Sequence, residues 1–108
     1  MNAEREIAEA CLQSLNALKA FAVEPPFFII VSLVGVKGVL LADPRNFTDR
    51  RFDGEVILIS EVLLENHPTS KTGLFESLKP AFDEMWNAAG APGSPNYAEN
   101  GQRDPKSY

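Results

Sequence analysis

Residues 27–42, FFIIVSLVGVKGVLLA, decide how the chain is read. The run is apolar almost throughout, but Gly35, Lys37 and Gly38 interrupt it. A bilayer-spanning helix needs about 20 consecutive apolar residues, so this stretch does not cross a membrane. Residues 27–34 are β-branched and aromatic and lie between Pro26 and Gly35, a strand signature. Phe27, Ile29, Val31 and Leu33 fall on one side; Phe28, Ile30 and Val34 fall on the other. A strand apolar on both sides is central in its sheet or has its second face covered by something else. Gly35-Val36-Lys37-Gly38 fits a hairpin connection. A second strand is therefore expected over 39–42, ended by Asp43-Pro44.

Upstream, Ile7, Cys11, Leu15, Leu18 and Phe21 recur at spacings of three and four, which predicts a helix over 3–22. Asn2 fits its N-cap, Glu4 and Glu6 suit the positive end of its dipole, and Lys19 suits the other end. Pro25-Pro26 stops it. Downstream, residues 55–64, EVILISEVLL, predict a third strand. Strict alternation puts Val56, Leu58, Ser60, Val62 and Leu64 on one face and Ile57, Ile59, Glu61, Leu63 and Glu65 on the other. Glu61 and Glu65 would then stand about 13 Å apart, too far to share a proton. A second helix is expected over 72–89, capped by Thr72. Leu74, Leu78, Phe82, Met85 and Ala89 form its stripe, and Trp86 widens it. Pro80 should kink or divide this helix, and Gly90 fits its C-terminal turn.

These elements predict an α+β fold: a two-layer sandwich with a small, mainly antiparallel three-stranded sheet flanked by an N-terminal and a C-terminal helix. With 108 residues and 44% hydrophobic content, one core is the natural outcome. The single domain is placed at 1–97, with 98–108 as a flexible tail. Within residues 87–102, NAAGAPGSPNYAENGQ, Pro92, Gly93 and Pro95 hold the path after Gly90 to few conformations. Tyr97 could anchor that path on the domain with its ring buried and its hydroxyl wet.

Composition excludes several functions. The net charge is -5 and the Lys and Arg residues are scattered, which disfavours nucleic-acid binding, because phosphate contacts supply most non-specific affinity. The lone Cys11 permits no internal disulfide and reads as a small buried thiol. No basic n-region with a following apolar h-region opens the sequence, so a cytoplasmic location is expected and the Asn46-Phe47-Thr48 sequon carries no weight. His67, the only histidine, sits in the loop NHPTSKTG and reads as a surface residue. No ligand cluster for a metal, no phosphate-binding glycine loop and no nucleophile elbow is present. No cofactor and no catalysis are expected. A small enzyme would have to use His67 with Glu61 or Glu65, or Cys11, and nothing in the sequence places these together.

Three strings carry a resemblance: FFIIVSLVGVKGVLL, then ISEVLLEN, then LKPAFDEMWNAAGAPGSPNYAENG. Together, over residues 25–102, they resemble the C-terminal region of bacterial proteins that carry an N-terminal Schlafen/AlbA-type domain. Those proteins are described as DNA-binding, ATP-binding or regulatory. The basic and ATP-related motifs of that domain are not in this chain, so the resemblance implies an accessory module beside a DNA-associated domain. It assigns no functional residue here.

The reading that follows is a non-catalytic interaction domain that buries an apolar sheet face or edge against a protein partner or a second copy. The candidate contact residues are Phe27, Ile29 and Val31 on the strand, and Trp86 and Tyr97 near the C-terminus. Arg45, Phe47, Arg50, Arg51 and Phe52 join them from the loop DPRNFTDRRFDG. That loop is either a solvated turn with local ion pairs or a contact loop, since Arg and aromatics are enriched at binding hot spots. The alternative function is direct nucleic-acid binding through residues 45–51.

Overall fold

A computed structural model describes residues 3–35, 40–43, 48–52 and 54–104, with the backbone alone described for 40–43 and 48–51. The chain runs α1 (Ala3–Ala20), β1 (Phe27–Val34), β2 (Leu40–Asp43), β3 (Thr48–Arg51), β4 (Val56–Leu64), α2 (Lys71–Ser77), α3 (Lys79–Ala88). The class is α+β, as expected, but the sheet is not the expected one. β1 pairs antiparallel with β4, not with β2. β2 pairs with β3, a strand inside the segment read as a loop. Phe27 opposes Leu64, Val34 opposes Val56, Leu40 opposes Arg51 and Asp43 opposes Thr48. The chain runs out through β1 and β2 and back through β3 and β4, with the two ladders offset by one residue. Gly35, at φ 68°, donates its N–H to the Glu55 carbonyl where the first ladder ends. That bond ties Gly35 to the returning strand. Of the expected Gly35–Gly38 turn, residues 36–38 lie outside the described residues, as does Asn2.

A β-bulge corrects the reading of β4. Ile29 opposes Val62 and Val31 opposes Ile59, so Ser60 and Glu61 together face Ile30. One extra residue reverses which parity points inward. Ile57, Ile59, Val62 and Leu64 face the core side, and Val56, Leu58, Glu61 and Leu63 face out. The bulge is fastened from outside the sheet: Glu84 of α3 accepts from the Ser60 backbone N–H at 2.7 Å and from its hydroxyl at 2.9 Å.

The inner sheet face meets one cluster built from all three helices, including Leu15, Leu74, Phe75, Leu78, Phe82, Met85 and Trp86. The second helical region is divided, as Pro80 requires. α2 is capped by Ser70, whose hydroxyl accepts from Gly73 N–H at 3.0 Å, so the cap falls two residues before Thr72. α3 restarts at Leu78–Lys79 with Pro80 in its first turn, where no N–H is needed. Gly90, at φ 88°, closes it. Ala91 N–H reaches the Trp86 carbonyl at 2.9 Å and Gly90 N–H reaches that of Asn87 at 3.0 Å, the paired bonds of a Schellman ending.

Packing continues past residue 97, where sequence analysis ended the domain. Tyr97 and Arg103 form a β-bridge, Ala98 N–H donates to the Gln102 carbonyl at 2.8 Å, and Asp104 N–H to that of Asn96 at 2.9 Å. Residues 96–104 are a small hairpin against the helices, and Arg103 is buried.

Candidate functional site

Two regions concentrate unusual chemistry. The first is a buried carboxylate. Glu4, in the first turn of α1, is 2% exposed and forms an ion pair with Arg103. Its Oε2 also accepts from Trp86 Nε1 at 2.7 Å, Ser94 Oγ at 2.6 Å and Asn96 Nδ2 at 3.0 Å. The Arg103 guanidinium lies 4.3 Å from the Phe75 ring centroid and 5.0 Å from that of Tyr97. The Tyr97 hydroxyl donates to the Phe75 carbonyl at 2.5 Å, so it is bonded inside and not wet. Burial pushes that phenol well above its ordinary pKa; Arg103 acts against the shift, and Glu4 and Asp83 act with it. Every interaction here joins chain to chain. The cluster fastens the C-terminal hairpin to the start of α1 and to α3.

The second region is the outer face of the β1–β4 sheet. Phe28, Ile30, Val34, Val56, Leu58 and Leu63 are 47 to 78% exposed. Register makes them one surface: Phe28 lies opposite Leu63, Ser32 opposite Leu58 and Val34 opposite Val56. Glu61 sits on the same face, and Glu55 and Glu65 flank β4. Monomeric proteins rarely leave a contiguous apolar surface of more than a few hundred Å² facing water.

The sequence-selected contact residues divide differently. Phe27, Ile29 and Val31 turn toward the core cluster and are half-buried, because α1 and the other helices cover that side. Their neighbours Phe28 and Ile30 are the exposed ones. Phe52, Trp86 and Tyr97 are buried, at 3% exposure or less, and present nothing to a partner. Arg50 and Arg51 lie on β3, with their side chains outside the description, and Arg45 and Phe47 lie outside the described residues. His67 Nε2 lies 3.3 Å from the Val23 carbonyl, and its ring stands edge-on to Phe27 at 5.1 Å, so neither Glu61 nor Glu65 is its partner. Cys11 is half-buried in the α1–β1 groove, and burial raises its thiol pKa, away from the reactive thiolate. Among the described residues, no group of three His, Cys, Asp or Glu side chains could hold a metal ion, and no helix is long and apolar enough to cross a membrane.

Sequence reasoning missed the Glu4–Arg103 pair and the outward turn of Val56 and Leu58. For the first, the sequence offers Ser94 and Asn96 in SPNY and a nearby Arg103, but nothing that pairs them with Glu4. For the second there was none, since nothing in EVILISEVLL marks Ser60-Glu61 as a bulge. Comparison with protein-family models, with curated proteins and with solved structures finds no match for this chain.

Proposed function

We propose that this chain is a non-catalytic interaction domain whose working surface is the outer face of the β1–β4 sheet. One observation carries the reading: six large apolar side chains share that face in adjacent cross-strand positions while the helices cover the opposite face. Burying them against a protein surface would gain about 25 cal/mol per Å² removed from water. The resemblance of residues 25–102 to the C-terminal region of Schlafen/AlbA-containing bacterial proteins supplies the setting, an accessory module beside a DNA-associated domain.

Sedimentation velocity over a wide concentration range tests the reading, with a labelled DNA duplex as a second ligand. A wild-type chain that associates, with itself or with a cognate domain, through a contact that Leu58→Asp abolishes supports it. Association indifferent to Leu58→Asp contradicts it. DNA binding that weakens steeply with salt would move the function to residues 45–51.

A further inference from the structure

The outer face is one open feature of β1; its unpaired edge is another. β1 pairs with β4 on one side, and among the described residues no strand pairs with its other side. A groove of about 430 Å³ runs there, between β1 and α1. Its strand wall is the unbroken run Phe27, Phe28, Ile29, Ile30, Val31 and Ser32. Consecutive residues of a strand point to opposite faces. A groove touched by both sets therefore lies along the strand's edge, not over one face. The other wall is one stripe of α1, with Ile7, Cys11, Leu15 and Leu18 at its base and Ala10 and Ser14 at its rim. Among the described residues, no charged side chain lines either wall.

A strand edge beside an apolar helix is a specific receptor. The edge presents a row of backbone N–H and C=O groups at the spacing of another strand. The helix stripe takes the apolar side chains that project from one face of such a strand. β4 already shows what β1 accepts on its paired side: an antiparallel strand whose core-facing side chains, Ile57, Ile59, Val62 and Leu64, are apolar.

We infer that the α1–β1 groove binds an extended segment of a partner protein as an added β-strand, with uncharged apolar side chains at alternate positions seated against α1. The proposal rests on the reading of the chain as an interaction module but uses a different surface. Six residues of β1 span about 17 Å at the usual strand rise, so the bound segment is five or six residues long. The chain's net charge of -5 favours basic residues flanking it.

The test is a display selection of random nine-residue peptides on the intact chain, followed by titration of the enriched peptides in solution. Enriched sequences should alternate apolar residues over a five- or six-residue core. N-methylation at alternate backbone positions of that core should weaken binding at least tenfold. Amide exchange over residues 27–32 should slow at least tenfold in the complex. Ala10→Trp, which fills the groove from an exposed helix position, should weaken binding at least tenfold, as should Ser14→Glu if the first variant proves poorly folded. Leu58→Asp should leave this binding unchanged. The proposal is overturned if no peptide is enriched, if N-methylation has no effect, or if Leu58→Asp abolishes binding while Ala10→Trp does not. That last result would assign the peptides to the outer face. Conversely, loss of the outer-face association would leave the groove measurement intact.

Discussion

Two regions of the molecule handle polarity in opposite ways. Around Glu4, a charge is buried and nearly every donor nearby is aimed at it: Arg103, Trp86, Ser94 and Asn96. Across the β1–β4 sheet, apolar side chains face outward and no described residue covers them. A buried carboxylate needs multiple donors because an unpaired buried charge is very costly. An exposed apolar face needs a cover because water around it is unfavourable. The first region surrounds its charge with donors, whereas among the described residues the second has no cover. Function is therefore sought at the sheet.

The strongest way to break this contrast is to remove the buried carboxylate. Glu4→Ala leaves Arg103 buried without its counter-ion and should cost about 3–5 kcal/mol in urea denaturation. The double change Glu4→Leu with Arg103→Met should recover most of that loss, because a well-packed apolar pair can replace a buried ion pair. If the single variant is as stable as wild type, the hub does not hold the termini together. Trp86→Phe keeps the ring but removes one donor to a charged acceptor, an expected loss of about 1.5–3 kcal/mol by the same assay.

Tyr97→Phe sharpens the picture further, with an expected loss of about 1 kcal/mol from the removed hydrogen bond to the Phe75 carbonyl. It also has a pH signature. Burial raises the folded-state pKa of Tyr97 above its ordinary value near 10. The stabilisation is then fully present below that value and declines as pH rises beyond it. Stability measured between pH 8 and 11.5 should fall more steeply in wild type than in Tyr97→Phe. The Cys11 thiol, also raised by burial, adds a decline beginning near pH 9 that the variant retains. The smallest effect belongs to the sheet. Leu58→Asp changes a residue that is 78% exposed, so monomer stability should move by less than about 0.5 kcal/mol.

Much of the architecture was legible because it is local. The stripe of α1, the strand at 27–34, the break at Pro80 and the turn at Gly90 all follow from residue spacing or from proline and glycine chemistry. What was not legible is relational. β1 pairs with β4 because residues far apart in the chain meet, while Gly35 and Gly38 read equally well as a tight hairpin. β3 went unseen because Thr48-Asp49-Arg50-Arg51 has a loop's composition. The bulge at Ser60-Glu61 reversed an alternation that looked regular, and with it the side chains that face out. Glu4 read as an ordinary dipole partner, since its arginine lies 99 positions away. Which face of β1 is open was not legible either: Phe28 and Ile30 are exposed and Phe27 and Ile29 half-buried, and FFII is apolar at all four positions.

The central claim is that the outer sheet face is an apolar surface that no described residue covers, on a well-packed domain. Titration with an environment-sensitive hydrophobic dye tests it directly, with near-ultraviolet circular dichroism of Trp86 recorded on the same samples. Saturable dye binding to the native wild type, sharply reduced in Leu58→Asp with the Trp86 signal unchanged, is the expected result. A native, monomeric wild type that binds no dye, or equal binding by both proteins, would contradict the account.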